Sequence, residues 1–525
     1  MKLLTFRNVA AFVSGALATA AAASVLQTQL ILHEVGRLGP HVDFSLRAAV
    51  TAEDLARFAP VMFAFALAAA AIALAFQGLL RRVQLTGPSA ALMANVIGLA
   101  VVLVLLRDVI PIPALAATRT LPGVLMMSLT AVVGACVSHL ILQTGRVARG
   151  ALPLLLAAVL LLPAASFLLM RPTPQAPPKA ASGYQVQTVL GGLERPWSLA
   201  QLPDGRVLVT EMAGRLRVIN PTGATADVSM ANVPTPHHNG RAIGLMEVAL
   251  SPRFSSDRRI YLTMGYREAR GVGVRLVGGQ LHEGPDGLRL DHVGVLFEST
   301  PKRGDGNNGG RIAFLDEHTL LITIGDGNVR REEAQNPASS LGKVMRIDLA
   351  TATLHDAQPV PAVVHSMGHR NPQGIVRDPV SGQVFVTEHG PRGGDELNRL
   401  RAGGNYGWPL ASTGIDYPFA RVSPFTRIPG MEDPELQWSP SIAPSGLAVY
   451  QGAMFPHWQG DFLVPALRER GIRRLVRQGD RVVDEEILLA ERGQRIRDVR
   501  VAADGSIFVL TDGVDAELLR LTPKR

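Results

Sequence analysis

The chain reads as an all-β six-bladed β-propeller preceded by an α-helical membrane domain of about five transmembrane helices. Three observations predict this: five long apolar runs before residue 171, a Pro-rich polar stretch at 171–184, and a hairpin unit that recurs six times after it. A length of 525 residues exceeds one ordinary domain, and the apolar runs end where the mixed sequence begins. The expected organisation is therefore a helical membrane domain at 1–170, a linker at 171–184 and a propeller at 185–525.

Each apolar run, at about 9–32, 60–80, 88–106, 122–143 and 150–170, approaches the roughly 20 residues that a helix needs to cross a bilayer. The first run is longer than a signal peptide requires and four more follow, so it is read as an uncleaved helix. Lys2, Arg7, Arg81, Arg82, Arg146 and Arg149 fall on one side in short acid-free segments, which assigns that side to the cytoplasm. Arg37, Arg47, Arg57, Arg107, Arg119 and Arg171 lie on the other side, diluted by Glu34, Asp43, Glu53, Asp54 and Asp108. An odd number of spans then places the C-terminal module outside the cytoplasm. Gln27, Gln29, Asn95, Ser138 and His139 interrupt the apolar runs. A quinone or haem pocket is one reading, and hydrogen bonding between helices is the simpler one. The stretch RPTPQAPPKAASG is a semi-extended spacer.

The recurring unit is an alternating apolar strand, a Pro/Asp/Gly turn and a second β-branched strand. It appears at 196–211, 244–265, 309–327, 372–390, 445–467 and 496–513. Unequal spacing puts long insertions between blades, and radial repetition gathers such loops on one face around a central channel. Two packed β-sandwiches would leave six similar hairpins unexplained.

A formal charge of +8 is compatible with nucleic-acid binding, yet the arginines are scattered rather than gathered in one basic tract, so no nucleic-acid partner is expected. Cys136 is the single cysteine, which excludes an intramolecular disulfide, a Cys-rich zinc site and a paired-cysteine haem attachment.

The run from Gly368 to Pro409 concentrates anion binders, oxygen donors and glycines. Arg370 and Asn371 suit a carboxylate and a carbonyl, and the turns around Gly390 and Asp395 leave backbone oxygens and carboxylates for a hard cation such as calcium. The motifs HRNPQG, EHGPRGGDELN and NYGWP resemble those of the soluble aldose sugar dehydrogenase (glucose/sorbosone dehydrogenase) family, over roughly residues 186–523. The resemblance implies a propeller holding pyrroloquinoline quinone (PQQ) and calcium. It implies that Arg370 and Asn371 contact the quinone, that Gly390 and Pro391 offer carbonyls to its calcium, that Arg468 stands near the cofactor, and that Arg495 and Arg497 bind its carboxylates. Trp438 is implied at the mouth of the substrate site, and Glu396 and Tyr406 in a structural calcium cluster, the latter through its main-chain oxygen. Read on the residues alone, Asp395 and Glu396 cap turns, Tyr406 and Trp408 pack between blades, and the arginines are solvated.

Two departures stand beside these matches. Where the family opens an H-x-G-G-R motif with a catalytic histidine, this chain has Asn307-Asn308-Gly309-Gly310-Arg311, and an asparagine takes up no proton at neutral pH. Where the family places a Gln before GLMEVAL, this chain has Ala242-Ile243. Asp305, His237 and His238 are the nearby replacements, while His369 and His389 are expected to orient loops. The leading expectation is a multi-pass protein of a bacterial inner membrane whose periplasmic propeller oxidises an aldose or related alcohol. Electrons would pass to the respiratory chain, with membrane quinone as a further partner. The competing readings are a binding or sensor propeller that has lost turnover, and a hydrolytic propeller such as a lactonase.

Overall fold

The computed structural model describes residues 6–82, 87–109, 121–144, 175–350, 354, 360–416 and 421–524. The chain folds into two compact units, a helical one formed by Met1–Thr173 with Ile415–Thr426 and a propeller formed by Pro174–Gly414 with Arg427–Arg525.

In the helical unit the described spans are α1 (Phe6–Arg37), α3 (Ala59–Arg82), α4 (Pro88–Val109) and the pair α5 (Leu121–Leu129) and α6 (Ala131–Thr144); α2 (Phe44–Arg57) is a short helix between the first two. Four stretches are thus long and apolar enough to cross a membrane. The fifth expected span, 150–170, lies outside the described residues, as do Lys2, Arg119, Arg146, Arg149 and Arg171. Small residues let α1 and α6 approach closely: a Cβ on Gly134 would lie 2.3 Å from Gly15 O, and Ser138 Oγ donates to Ala11 O at 2.8 Å. Ser138 therefore serves helix packing. Gln29 Nε2 and Thr28 Oγ1 reach Thr51 Oγ1 and Asp54 Oδ2, each at 2.8 Å, so polar groups of α1 fasten α2. Asp43 caps α2 by accepting from Leu46 N at 2.8 Å.

The propeller has six blades. Their inner strands are Pro196–Gln201, Leu245–Leu250, Gly309–Phe314, Pro372–Arg377, Ala448–Val449 and Ile496–Val501. Each leads an antiparallel sheet of at least four strands. Blade 6 is closed by the N-terminal strand Tyr184–Leu193, which pairs with the C-terminal strand Ala516–Pro523, so the ring leaves no open end. The expected spacer is partly fastened to the propeller: Lys179–Ala180 adds a parallel strand to the outer edge of blade 5.

A repeated hydroxyl ladder joins the blades. Thr210 accepts from Ser198 N and donates to Met246 O of the next blade at 2.5 Å. Thr263 likewise accepts from Glu247 N and donates to Gly310 O, and Thr323 accepts from Arg311 N and donates to Pro372 O. Thr387 donates to Gly446 O, and Ser445 to Ile496 O. The inner strands of blades 1, 2, 3, 4 and 6 are bulged next to these contacts, which frees the backbone groups that the hydroxyls satisfy.

Arg311 lies at the axis, 2 % exposed. Its guanidinium covers the Trp197 ring at 4.0 Å and pairs with Glu247 at 2.9 Å and Asp498 at 3.1 Å. It also donates to the carbonyls of Gln373, Ser445 and Arg497 at 2.9, 2.5 and 3.2 Å. One side chain from blade 3 thus touches the other five. Arg311→Met would leave Glu247 and Asp498 to share Arg500, and breaking a buried pair of this kind costs about 3–5 kcal/mol. Urea unfolding followed by tryptophan fluorescence is expected to show that loss, with Arg311→Lys close to Arg311→Met because an ammonium cannot reproduce the planar fork.

Candidate functional site

Loops entering the inner strands, together with the turns between second and third strands, share one face of the propeller. Blade 4 supplies the centre of that face. Arg370, 7 % exposed, donates through Nη1 to His389 O at 3.1 Å and Gly390 O at 3.0 Å, and its Cζ lies 5.4 Å from the Trp408 ring centroid. Its backbone is clamped as well: Arg370 N donates to Glu388 Oε2 at 2.7 Å, and Arg370 O accepts from Asp326 N at 2.8 Å. Asn371 Oδ1 accepts from Gly309 N and Gln373 Nε2, both at 3.2 Å, whereas its Nδ2 has no partner among the described residues. Gly390 sits in a turn too tight for any other residue, since a Cβ would lie 2.2 Å from Gly393 O. Asp395 caps that turn by accepting from Gly390 N at 2.9 Å, and it also accepts from Ser441 Oγ and Ala443 N.

Both histidines of this region position loops, in line with expectation. His369 bridges Glu388 Oε1 (2.9 Å) and Ser366 Oγ (2.8 Å) and stacks on Tyr406. His389 Nε2 lies 2.7 Å from Pro444 O, and burial depresses its pKa, so it donates there as a neutral ring.

Blades 5 and 6 add cations. Arg468 is exposed on its turn, and its guanidinium has no partner among the described residues. Arg495 and Arg497 converge on Asp512, through Oδ2 at 2.7 Å and Oδ1 at 2.8 Å. Trp438 is placed differently from the expectation. It is fully buried on Leu436–Trp438, packed with Phe385 and Leu397, and its Nε1 donates to Glu485 Oε2 at 3.0 Å. Its strand pairs with Asp395–Leu400 inside blade 4, so the indole faces the core and lines no mouth.

On blade 3, Asn307 has φ +46° and donates through Nδ2 to Asp326 Oδ1 at 2.8 Å. Asp326, 1 % exposed, also accepts from Asn328 N at 2.7 Å and Trp408 Nε1 at 2.8 Å. Burial pushes its carboxyl above the usual carboxylate range, against the charge of Arg370. Lys302 lies beneath the same loop, 3 % exposed, with Nζ donating to Gly304 O and Gly306 O; burial pulls its pKa down to about 8. Asp326 and Lys302 are residues that motif reading passed over, and Trp408, read only as packing between blades, also donates to Asp326. The run IGDG carries Asp326 directly after a strand, which is the signal that could have found it.

Asp305 meets His237 Nε2 at 3.2 Å and Asn239 Nδ2 at 3.1 Å. Asn308 Nδ2 donates to Ala242 O at 2.8 Å and Asp305 O at 2.7 Å. Ala242 and Asn307, the two positions read from the sequence as departures from the family motifs, are therefore on interlocked loops.

A cation could be held beside blade 4's carboxylates. Glu388 and Glu396 face each other across paired strands, and Asn398 Nδ2 donates to both, at 2.9 and 3.1 Å. Asn398 Oδ1 is buried with no partner among the described residues. Desolvation, and next the charge of Glu388, push the Glu396 pKa up to about 8. No group of three His, Cys, Asp or Glu side chains forms a metal site among the described residues, so a cation here would draw on backbone carbonyls, as calcium does. Tyr406 places its hydroxyl on Arg399 O at 2.6 Å, which turns the ring inward. Because Glu396 keeps its proton more tightly when folded, the stabilisation is present below its unfolded pKa and is lost as pH rises through about 8. Thermal melts without added calcium are expected to fall between pH 5 and 9, and Glu396→Gln is expected to flatten that slope.

Fold and face together define a six-bladed propeller with a cationic, carboxylate-flanked cradle on one face. A profile of the Glucose / Sorbosone dehydrogenase family matches residues 193–520, and the chain belongs to that family. It is similar to aldose sugar dehydrogenase YliI of Escherichia coli, 35 % identical over 356 residues, covering 66 % of this chain and 94 % of the relative. The apo crystal structure of the soluble E. coli aldose sugar dehydrogenase matches with TM-score 0.60 and 34 % identity, over 65 % of this chain and all of that one. The PQQ-bound aldose sugar dehydrogenase of Streptomyces coelicolor matches with TM-score 0.53 and 29 % identity, over 66 % of this chain and all of that one. The helices α1 to α6 lie outside the region matched by the family profile.

Proposed function

We propose that this chain is a membrane-anchored, PQQ-dependent dehydrogenase that oxidises an aldose sugar or related alcohol on the periplasmic side of a bacterial inner membrane. Its electrons would pass to the respiratory chain through membrane quinone. The observation that carries the reading is the convergence of Arg370, Asn371, Arg468, Arg495 and Arg497 on one loop face, each clamped or free as a tricarboxylate cofactor requires. Arg468 and the Asn371 Nδ2 supply donors that no protein group consumes among the described residues, and the fixed Arg495–Asp512–Arg497 group offers a preorganised rim. Gly390 and Pro391 would present carbonyls to calcium at the quinone edge, with Glu396 and the Tyr406 carbonyl holding a structural calcium. When bound, PQQ supplies a two-electron acceptor for the hydride leaving the sugar carbon. Arg370 orients it, and Asn307, anchored on Asp326, offers its Oδ1 to a substrate hydroxyl without being able to keep the proton.

The test is titration of the detergent-solubilised chain with PQQ and calcium, then dye-linked turnover with a panel of aldoses. Arg370→Ala is expected to weaken PQQ binding about ten- to a hundredfold, the usual worth of a charge-assisted hydrogen bond. Failure of the chain to bind PQQ would sink the proposal. A second reading, a carbohydrate-binding sensor, is favoured by Asn307 and Ala242, and tight binding without turnover would select it.

The membrane orientation rests on charge bias and on the expected span at 150–170. Alkaline phosphatase fused after Arg525 is expected to be active, which occurs only outside the cytoplasm. An inactive but full-length fusion would put the propeller inside.

A further inference from the structure

Oxidising a hydroxyl releases a proton as well as a hydride, and the loop face must hold a group that takes it. Most titratable groups there are unavailable. Asp326, Lys302, His369 and Asp395 are at most 3 % exposed. His389 is spent on Pro444 O, and Asp512 is shared by two arginines. His237 and Asp305 differ, with side chains 18 % and 25 % exposed and a mutual contact of 3.2 Å.

Their position is built rather than accidental. His237 N donates to Gly265 O at 2.8 Å, and a Cβ on Gly265 would lie 2.4 Å from His237 O, so the histidine loop seats against bare backbone. Asn239 Nδ2 holds Asp305 Oδ2, and Asn308 Nδ2 ties both loops together through Ala242 O and Asp305 O. These loops carry the two positions, Ala242 and Asn307, at which the chain departs from its family's motifs.

We infer that His237, oriented by Asp305, is the proton acceptor of this chain's dehydrogenase reaction, the role that Asn307 cannot fill. The inference rests on the dehydrogenase reading above. Asp305 accepts from Nε2–H and fixes the tautomer that leaves Nδ1 as the acceptor. In the reaction the C–H bond breaks with its electron pair passing to the quinone acceptor. The O–H bond breaks with its proton passing to His237 Nδ1, and the C=O bond of the product forms. The groups facing the ring are Asp305 and Arg267, whose Nη2 lies 3.1 Å from Nε2 and whose Nε lies 3.4 Å from Nδ1; His238 follows in sequence, and Lys302 faces Asp305 from below. The Arg267 side chain is 59 % exposed and also lies 3.7 Å from Asp305 Oδ1 through Nη2, and its longer contact, to Nδ1, is the one that a sugar hydroxyl would replace.

The experiment uses the full chain in detergent with PQQ, calcium and D-glucose or D-xylose. His237→Gln is expected to lower kcat by about a hundredfold or more while PQQ binding, the melting temperature and KM stay near wild type. His238→Gln is expected to behave as wild type. Adding Asn307→His to His237→Gln is expected to restore at least about tenfold, because an acceptor then returns to the same rim. A readout independent of turnover is the nitrogen NMR spectrum of the neutral His237 ring: the wild-type chain should show the Nε2–H tautomer, and Asp305→Ala should lose that preference. Wild-type turnover with an unimpaired His237→Gln variant would overturn the inference and leave the dehydrogenase reading standing. A wild-type chain that binds PQQ and sugar without turnover would overturn both.

Discussion

The arrangement of the propeller depends on one buried guanidinium. Arg311 is held at the axis by two carboxylates, three carbonyls and an indole face, contributed by the other five blades. A charge in such a place is tolerated only if it is fully paired, and pairing it requires all six inner strands to be in register. The interaction therefore acts as a closure condition: a ring of the wrong blade number or phase would strand Arg311, Glu247 or Asp498 in a low-dielectric centre.

The loop face inherits that register. The hydroxyl ladder from Thr210 through Ser445 fixes each inner strand against the next blade, which sets where every entering loop begins. Gly309 and Gly310 sit two residues and one residue before Arg311 at positive φ, so the hub and the Asn307 loop are fixed by the same few bonds. Blade 4 repeats this logic with carboxylates. Glu388 holds Arg370 N and His369, and Asp395 holds Gly390 N and the 441–443 loop, leaving the Arg370 side chain rigid against two carbonyls. Side chains already ordered in this way would lose little entropy on binding an anion.

In the proposed reaction the chemistry at the rim of the loop face turns on proton inventory. Asn307 donates to Asp326 Oδ1, and its amide takes up no proton at neutral pH. The interlocking of the 237–243 and 302–308 loops through Asn239 and Asn308 brings an imidazole and a carboxylate to that rim from two different blades. The proposed role of His237 fits this arrangement because both loops are stapled by amide side chains.

Sequence by itself determined the periodic parts. The six hairpins are legible because strands alternate and turns demand Pro, Asp and Gly, and the helical spans are legible because a bilayer demands length and apolarity. The Thr recurring near the end of the second strand, in VTE, LTMG, ITIG and VTEHG, was equally present in the sequence. It carries no meaning until the neighbouring blade supplies the carbonyl. Arg370, Asn371 and Gly390 come together on one loop face because they already crowd one short run of sequence. Only the tertiary structure decided that Trp438 faces a core, that α2 lies between the first two spans, that Asp326 sits behind Asn307, and that His237 meets Asp305 across 68 residues. The reason is physical: a local pattern records what one element needs from its own backbone and solvent. Burial, ion pairing and hydrogen bonds between blades depend on partners that come from distant parts of the sequence.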